Sequence, residues 1–479
     1  MFRPLAILAL TAAAAVLPVL AAEEHRESET SRKAHPEILK FYGLYEDQAM
    51  QDYINEVGTR VARSSDWPNA EFKFFVLDDD SINAFTTGCC YVYIHRGLMT
   101  YLESEAELAT VLGHEIAHVT AKHPQKRRAQ GLLANILAIG ATLATGSGAL
   151  GQLANMGAGA WVQGYGRENE MEADRLGLKF STKAGYRPEA MAEVFRVFKD
   201  QERFEMERAR SEGREPRVYH GVFSSHPAPD ARTVQAAKAA ARITTEPEGG
   251  WIDNRQIFLR NLDGMPYGSS RVQGIVRDNR FYHATMGITM AFPRGWNVEN
   301  MRDRIIAFTR NRDSIVQVTL EPHPPAQAPR EFLLTRLKGA SVAHGEAIES
   351  NGMQGYTVVT RNGSPLDGGK GPVRWVTLYN NAGGAFVFAG ASRTSLNSRP
   401  EADGVVLSVA QTTRGLRPAE FPLAEPYRIA VVPYDGRTTL AQHAAELPVE
   451  RYKLEELQLM NGLYPNRQPD FGQLLKVVQ

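Results

Sequence analysis

Cysteine is nearly absent from this chain. Of 479 residues only Cys89 and Cys90 carry a thiol, and they are neighbours. A fold stapled by several disulfides is therefore excluded, and the pair lacks the loop spacing of a cysteine zinc site. Adjacent cysteines rarely bond each other, because the ring they close is strained; free or strained thiols are the expectation. An excess of charge of one sign is also missing. Lysine plus arginine and aspartate plus glutamate each number 54, which gives a net charge of zero, and no Lys/Arg stripe interleaved with aromatics appears. Neither nucleic acid nor an acidic membrane surface is indicated as a partner. Aromatics make up only 9%, while the apolar share of 43% is ordinary for a globular chain. Long hydrophobic runs are scarce: between residues 131 and 164 the longest, Leu132 to Ala144, is too short to span a bilayer.

What is present begins with the N-terminus. Arg3 precedes an Ala- and Leu-rich run from Leu5 to Leu20, and Val19-Leu20-Ala21 offers small residues to a signal peptidase. Residues 1–22 thus read as a signal peptide cleaved near Ala21 or Ala22, with an uncleaved anchor as the weaker alternative. No cysteine follows, so the signal is not of the lipoprotein type. Residues 23–34 are charged and polar and read as a flexible leader. An exported protein is expected, with the bacterial periplasm as its natural destination.

The most informative segment is His114-Glu115-Ile116-Ala117-His118, inside the apolar, capless run Ala106 to Val119. That run predicts a buried helix. Positions four apart share a face one turn apart, so His114 and His118 can grip one metal ion while Glu115 reaches a water on it. A catalytic zinc needs a third protein ligand and an open position. Downstream, Arg167-Glu168-Asn169-Glu170-Met171-Glu172-Ala173-Asp174 reads as a helix start with acids in its first turn. Glu170 and Asp174 share a face there. One can bind the metal while the other accepts the free ring N–H of a ligand histidine. Alone, an acidic helix start is more simply a solvated one.

Asn83-Ala84-Phe85, Tyr91-Val92-Tyr93-Ile94 with Gly97-Leu98, the Glu105 to His118 helix and Glu170-Met171-Glu172-Ala173-Asp174 occur in an order and spacing that resemble the HtpX/BepA-like gluzincin metallopeptidases. That group also includes the CAAX prenyl proteases. The resemblance covers roughly residues 35 to 240. It implies one zinc ion per chain held by His114, His118 and Glu170, with Asp174 behind a ligand histidine. Ser225-His226-Pro227 fits a later functional His-Pro. His226 is then a donor to the oxyanion, or a group that coordinates the open zinc position until substrate displaces it. The Tyr-Val-Tyr strand is expected to form the edge on which a substrate backbone is laid. Gly88-Cys89-Cys90 stands before it where relatives carry small residues, which places the two thiols near that edge. His35, His95, His123 and His220 have no spacing argument and read as ordinary histidines.

The implied chemistry is peptide hydrolysis by metal-activated water, with Glu115 as general base. Misfolded or assembling envelope proteins are the implied substrates. The competing class is an envelope scaffold, chaperone or glycan-binding protein with a latent zinc site.

The rest of the chain reads as modules, about three domains for this length. A metallopeptidase domain covers 35–248. His35 to Arg63 and Arg187 to Ala241 have helical texture, with a solvated charged stretch from Lys199 to Arg217, and Phe72 to Leu77 reads as a strand. Residues 131–164 suggest a helical hairpin packed in the core; a mobile lid, or a hairpin giving peripheral membrane contact, is the alternative. Residues 265–418 read as a further domain: from Phe281 to about Leu416 apolar and polar positions alternate in short runs separated by turn signals, with one helix from Pro329 to Leu337. An α+β domain with an antiparallel sheet is expected. Its Phe292-Pro293-Arg294-Gly295-Trp296 resembles the opening strand of PsbP/Mog1-like domains. Residues 424–479 show strand, helix, helix, strand, an order that resembles a LysM module and implies association with glycans such as peptidoglycan. The expected fold class is α+β throughout: a mainly helical zincin-type domain with a small edge-exposed sheet, an antiparallel α+β domain, and a small βααβ module.

Overall fold

The computed structural model describes residues 29–123, 131, 166–213, 216 and 230–479, apart from 325, 368, 381–382, 394–400 and 450. The signal peptide 1–22, the first half of the leader (23–28), all but one residue of the 131–164 hairpin, His220 and His226 lie outside the described residues.

The leader is ordered earlier than expected. Helix α1 runs Glu29–Tyr42, because Ala34, Ile38 and Tyr42 bury against Phe85, Tyr91 and Tyr93. Helix α2 (Gln48–Arg63) follows, capped by Asp47, whose carboxylate accepts from the Met50 amide. Three short strands come next: β1 (Lys73–Leu77), β2 (Ala84–Gly88) and β3 (Tyr91–His95). Their order is β1-β3-β2, with β1 parallel and β2 antiparallel to β3. The Tyr-Val-Tyr strand β3 is therefore not the expected edge, because it is paired on both sides, and the strand that is at the edge, β2, is itself covered: all five of its residues are buried, and Ser31 donates to the Thr87 carbonyl at 2.9 Å. Ordering of α1 is the reason. Cys89 and Cys90 are not free thiols. The tight turn between β2 and β3 joins them in a disulfide, with Cα atoms 2.9 Å apart.

A short helix α3 (Arg96–Tyr101) leads into α4 (Glu105–Thr120), which carries the histidine pair. This helix is not capless. Ser104 accepts from the Glu107 amide at 3.2 Å and so satisfies a donor the first turn would leave bare. Helix α5 (Arg167–Lys183) crosses α4 closely at two glycines. A Cβ on Gly177 would lie 2.9 Å from the His114 nitrogen, and one on Gly113 would lie 3.0 Å from the Gly177 carbonyl oxygen. Only glycine permits that approach. Helices α6 (Ala190–Ser211), α7 (Asp230–Ala240) and α8 (Arg255–Leu262) complete this part. The charged stretch of α6 is only half solvated: Arg203 and Glu207 pair at the surface, but Phe204 is buried against Leu459 and Tyr464.

Strand β4 (Pro266–Tyr267) leads into the sheet-rich region. Strands β5 (Ile275–Arg277), β6 (Arg280–His283) and β7 (Ile288–Ala291) join a later β15 (Arg414–Gly415) in one four-stranded sheet. The larger sheet takes β8 (Asn297–Asn300), β9 (Arg304–Phe308) and β10 (Ser314–Pro322), then, after helix α9 (Pro329–Arg336), β11 (Val342–Ser350), β12 (Met353–Thr360), β13 (Val373–Tyr379) and β14 (Gly384–Ser392). Its order is β11-β12-β13-β14-β10-β9-β8, every pairing antiparallel. Both faces are covered. Along β14, Phe386 and Phe388 face helix α10 (Glu401–Thr412), while Ala385, Val387 and Ala389 face α9, the two-residue period of a strand.

The C-terminal part is β16 (Tyr427–Pro433), α11 (Leu440–Ala445), α12 (Lys453–Met460) and β17 (Leu474–Val478). It does not stand apart. Strand β16 sits between β17 and β4, and Ile429, Leu440, Leu457, Met460 and Leu475 belong to the same hydrophobic core as α4. Lys476 is wholly buried, donating to the Leu102 carbonyl at 2.5 Å and pairing with Glu103 at 2.7 Å, just before α4 begins.

Candidate metal centre

Helix α4 presents His114 and His118 on one face, and the glycine crossing brings α5 against that face. The outcome is a compact cluster. His114 Nε2 lies 3.0 Å from His118 Nε2, and the Glu170 oxygens lie 3.5 Å from each ring nitrogen. One atom from each residue falls within 4.8 Å of the others, and it is the group capable of holding a metal found among the described residues. Bonds of about 2.1 Å at tetrahedral angles put ligand atoms about 3.4 Å apart. Two imidazoles and a carboxylate at these separations therefore fit zinc. Glu170 and His118 are fully buried.

Around the cluster the side chains lock one another. His114 Nδ1 is 3.1 Å from Asp174 Oδ1, one turn along α5 from Glu170. Burial opposes a charge on His114, but its hydrogen bonds to Asp174 and Glu170 outweigh that and raise its pKa to about 9 in the metal-free protein. Burial likewise disfavours the Asp174 carboxylate, yet bonds from Arg232 and His114 hold its pKa below the usual range.

Arg232 is a residue the sequence reading missed. From α7 it donates through Nη1 to Glu170 at 2.8 Å and through Nε and Nη2 to the two Asp174 oxygens at 2.7 Å each. A fixed guanidinium fork suits two carboxylates that a point charge could not orient. A signal was present: Arg232, Ala236 and Ala240 recur every fourth residue on the buried face of α7. An arginine on such a face requires buried acids opposite.

His123 was read as an ordinary histidine, and the structure corrects this. Helix α4 ends at Thr120, Lys122 adopts a left-handed conformation (φ 54°), and the chain turns back. His123 Nδ1 then lies 2.8 Å from His118 Nδ1, and its Nε2 lies 3.3 Å from Glu172. His35 and His95 are ordinary: the first meets the Tyr93 hydroxyl at 2.9 Å, the second Asp79 at 2.9 Å. Glu115 is buried and lines a cleft together with His114, Asp174 and Arg232. No described helix is long and apolar enough to cross a membrane.

Residues 48–240 match the family model described as Peptidase family M48. The chain is 32% identical over 237 residues to the beta-barrel assembly-enhancing protease of Yersinia pestis, covering 47% of this chain and 46% of the relative. The protein of that name from Escherichia coli K12 is 32% identical over 211 residues, 42% of this chain and 41% of the relative. Mitochondrial metalloendopeptidase OMA1 of Schizosaccharomyces pombe is 28% identical over 169 residues, 34% and 49% of the two chains. This chain thus spans about half the length of the curated relatives it matches. A solution structure of cyanobacterial PsbP from Synechocystis covers 30% of this chain and 95% of its own, at TM-score 0.23 and 12% identity, too distant to carry an argument.

Proposed function

We propose that this chain, whose residues 48–240 form a peptidase family M48 domain, is an exported, zinc-dependent endopeptidase. Its substrates are misfolded or assembling envelope proteins in the bacterial periplasm. The observation that carries the chemistry is the His114, His118 and Glu170 cluster, with the Glu115 carboxylate in the same cleft. The envelope setting rests on the N-terminal targeting pattern and on relatives named for beta-barrel assembly.

His114 and His118 would hold zinc through Nε2, and Glu170 through its carboxylate. Zinc, when bound, supplies a Lewis acid for the scissile carbonyl and makes water acidic enough to attack near neutral pH. Asp174 accepts from His114 Nδ1–H and His123 from His118 Nδ1–H, so both ligand rings turn Nε2 toward the metal. Arg232 holds the Glu170 and Asp174 carboxylates in place and helps to keep the Asp174 pKa low. Glu115 takes the proton of the attacking water and returns it to the leaving amine. His226 enters on the family resemblance alone, as donor to the developing oxyanion.

The test is hydrolysis of unfolded casein together with metal content. Wild type is expected to cleave and to hold about one zinc per chain. Glu115→Gln is expected to hold the same zinc and to lose hydrolysis by about a hundredfold to ten-thousandfold, the usual range for a lost general base. Equal activity of the two proteins removes the peptidase reading and leaves the scaffold or chaperone one.

A further inference from the structure

We propose that β11, the open edge of the seven-stranded sheet, is a docking strand that captures an extended, basic segment of an unfolded envelope protein by strand addition. The class of the captured chain rests on the peptidase reading and deepens it.

Elsewhere the molecule closes its sheet edges. On β1 the outer backbone groups of Phe74 and Val76 are taken by side chains of α2. Asn55 donates to the Phe74 carbonyl at 2.8 Å and accepts from its N–H at 3.1 Å; Gln51 does the same for Val76 at 3.0 and 2.9 Å. On the far side of that sheet, β2 lies against α1. At the other edge of the large sheet, β8 has four residues, all half-buried, and Asn300 at its end donates to the Gln273 and Gly274 carbonyls. Strand β11 is different. It has nine residues, of which only Ser350 is buried. It pairs with β12 along its length, so about half of its N–H and C=O groups face outward. Among the described residues none of those outer groups is hydrogen-bonded. An open edge invites another chain, and proteins usually blunt it with proline, lysine or a covering element. Strand β11 carries neither residue and no cover.

The occupant follows from charge and shape. Besides His344, the ionisable side chains of β11 are Glu346 and Glu349, both exposed and neither ion-paired among the described residues. Three apart in a strand, they stand on opposite faces. An incoming strand therefore gains from lysine or arginine on both of its faces, and an acidic one is repelled. A second copy of β11 laid antiparallel and in register would set Glu346 against Glu346, which makes the strand a poor partner for itself. Gly345 has no side chain, and the Tyr356 hydroxyl of β12 reaches to 2.9 Å from where a Cβ would stand. The phenol thus lies across the edge strand, where a β-branched or aromatic side chain of the added strand covers it. Backbone bonds supply the affinity; the two glutamates and Tyr356 supply the preference.

The experiment uses the zinc-loaded full chain carrying Glu115→Gln, which binds without cutting, and synthetic peptides of about nine residues that alternate valine with polar positions. One has lysine at polar positions, a second has glutamate there, and a third is the lysine peptide N-methylated at alternate residues. Hydrogen exchange, read by mass spectrometry, is expected to slow at residues 342–350 by on the order of tenfold when the lysine peptide saturates the protein. The glutamate and N-methylated peptides should leave exchange there unchanged. Glu346→Lys combined with Glu349→Lys should weaken the lysine peptide by on the order of tenfold and admit the glutamate peptide. Both side chains are exposed, so the variant should fold, and in a chain that keeps Glu115 it should hydrolyse short peptides as wild type does. Protection confined to other segments, equal binding of the N-methylated peptide, or an unaltered preference in the double variant overturns the proposal. So does protection of 342–350 in a concentration-dependent dimer without peptide, which would make a second copy the occupant. Wild type that cleaves no peptide removes the peptidase reading but leaves strand docking standing, because docking is read in a protein that does not cut.

Discussion

The histidine pair is held by neighbours that differ in kind. His114 is braced by a carboxylate, Asp174, but His118 is braced by a second imidazole, His123, which in turn leans on Glu172. A ring that accepts from His118 Nδ1–H fixes the tautomer and leaves Nε2 for the metal. Replacing His123 by alanine should weaken zinc binding by about 10- to 100-fold, the usual cost of losing such a partner. A chelator competition measures this directly. His123→Asn, which keeps a polar side chain able to accept, should recover part of the loss. Unchanged affinity in both variants would reduce His123 to a bystander.

Helix packing decides whether these residues meet at all. Glu170 reaches the histidines because α5 can approach α4 at Gly113 and Gly177. Adding a methyl group at Gly177 forces the helices apart, since its contacts would be backbone atoms of His114 that cannot swing aside. Gly177→Ala is expected to cost about 1–3 kcal/mol of stability, as overpacking does. It should also weaken zinc binding, because Glu170 moves with its helix. Gly404→Ala in α10, where a Cβ meets nothing within 4 Å, is the matched control: it should leave zinc affinity unchanged and add up to about 1 kcal/mol of stability through helix propensity. Thermal melts with and without zinc report both quantities; a Gly177→Ala protein with native zinc affinity would contradict the crossing argument. The same tightness bears on the disulfide. The turn between β2 and β3 leaves Cys89 and Cys90 buried side by side, so the local chain decided a bond that adjacency argues against.

Across the whole molecule, the last fifty or so residues are continuous with the first core. Besides shared apolar packing, Lys476 and Arg255 both bind Glu103 just ahead of α4, and Tyr101 and Tyr267 both donate to Glu456 of α12 at 2.7 Å. Removing residues 424–479 would leave the half-buried Glu103 short of the buried Lys476 cation and expose the flank of the histidine helix. The truncated chain is expected to lose cooperative melting or to melt far below the full chain, because breaking one buried ion pair alone costs about 3–5 kcal/mol. Truncation that leaves the melting temperature and zinc affinity unaltered would show a separable module. Glycan binding is then better tested by a surface change, such as Phe471→Ser, at a side chain that is 83% exposed.

Local sequence determined the elements and the type of chemistry. Spacing along single helices placed His114 with His118 and Glu170 with Asp174, since a helix repeats its face every turn whatever surrounds it. Strand alternation from Phe281 onward was legible because a strand repeats its face every second residue. Tertiary structure alone decided which faces meet. Arg232 and His123 join the cluster through a helix crossing and a chain reversal, and the wall of the cleft comes from α6, whose apolar face reads in isolation as ordinary core. Contacts between distant segments depend on which surfaces pack, and no periodicity within one segment carries that information.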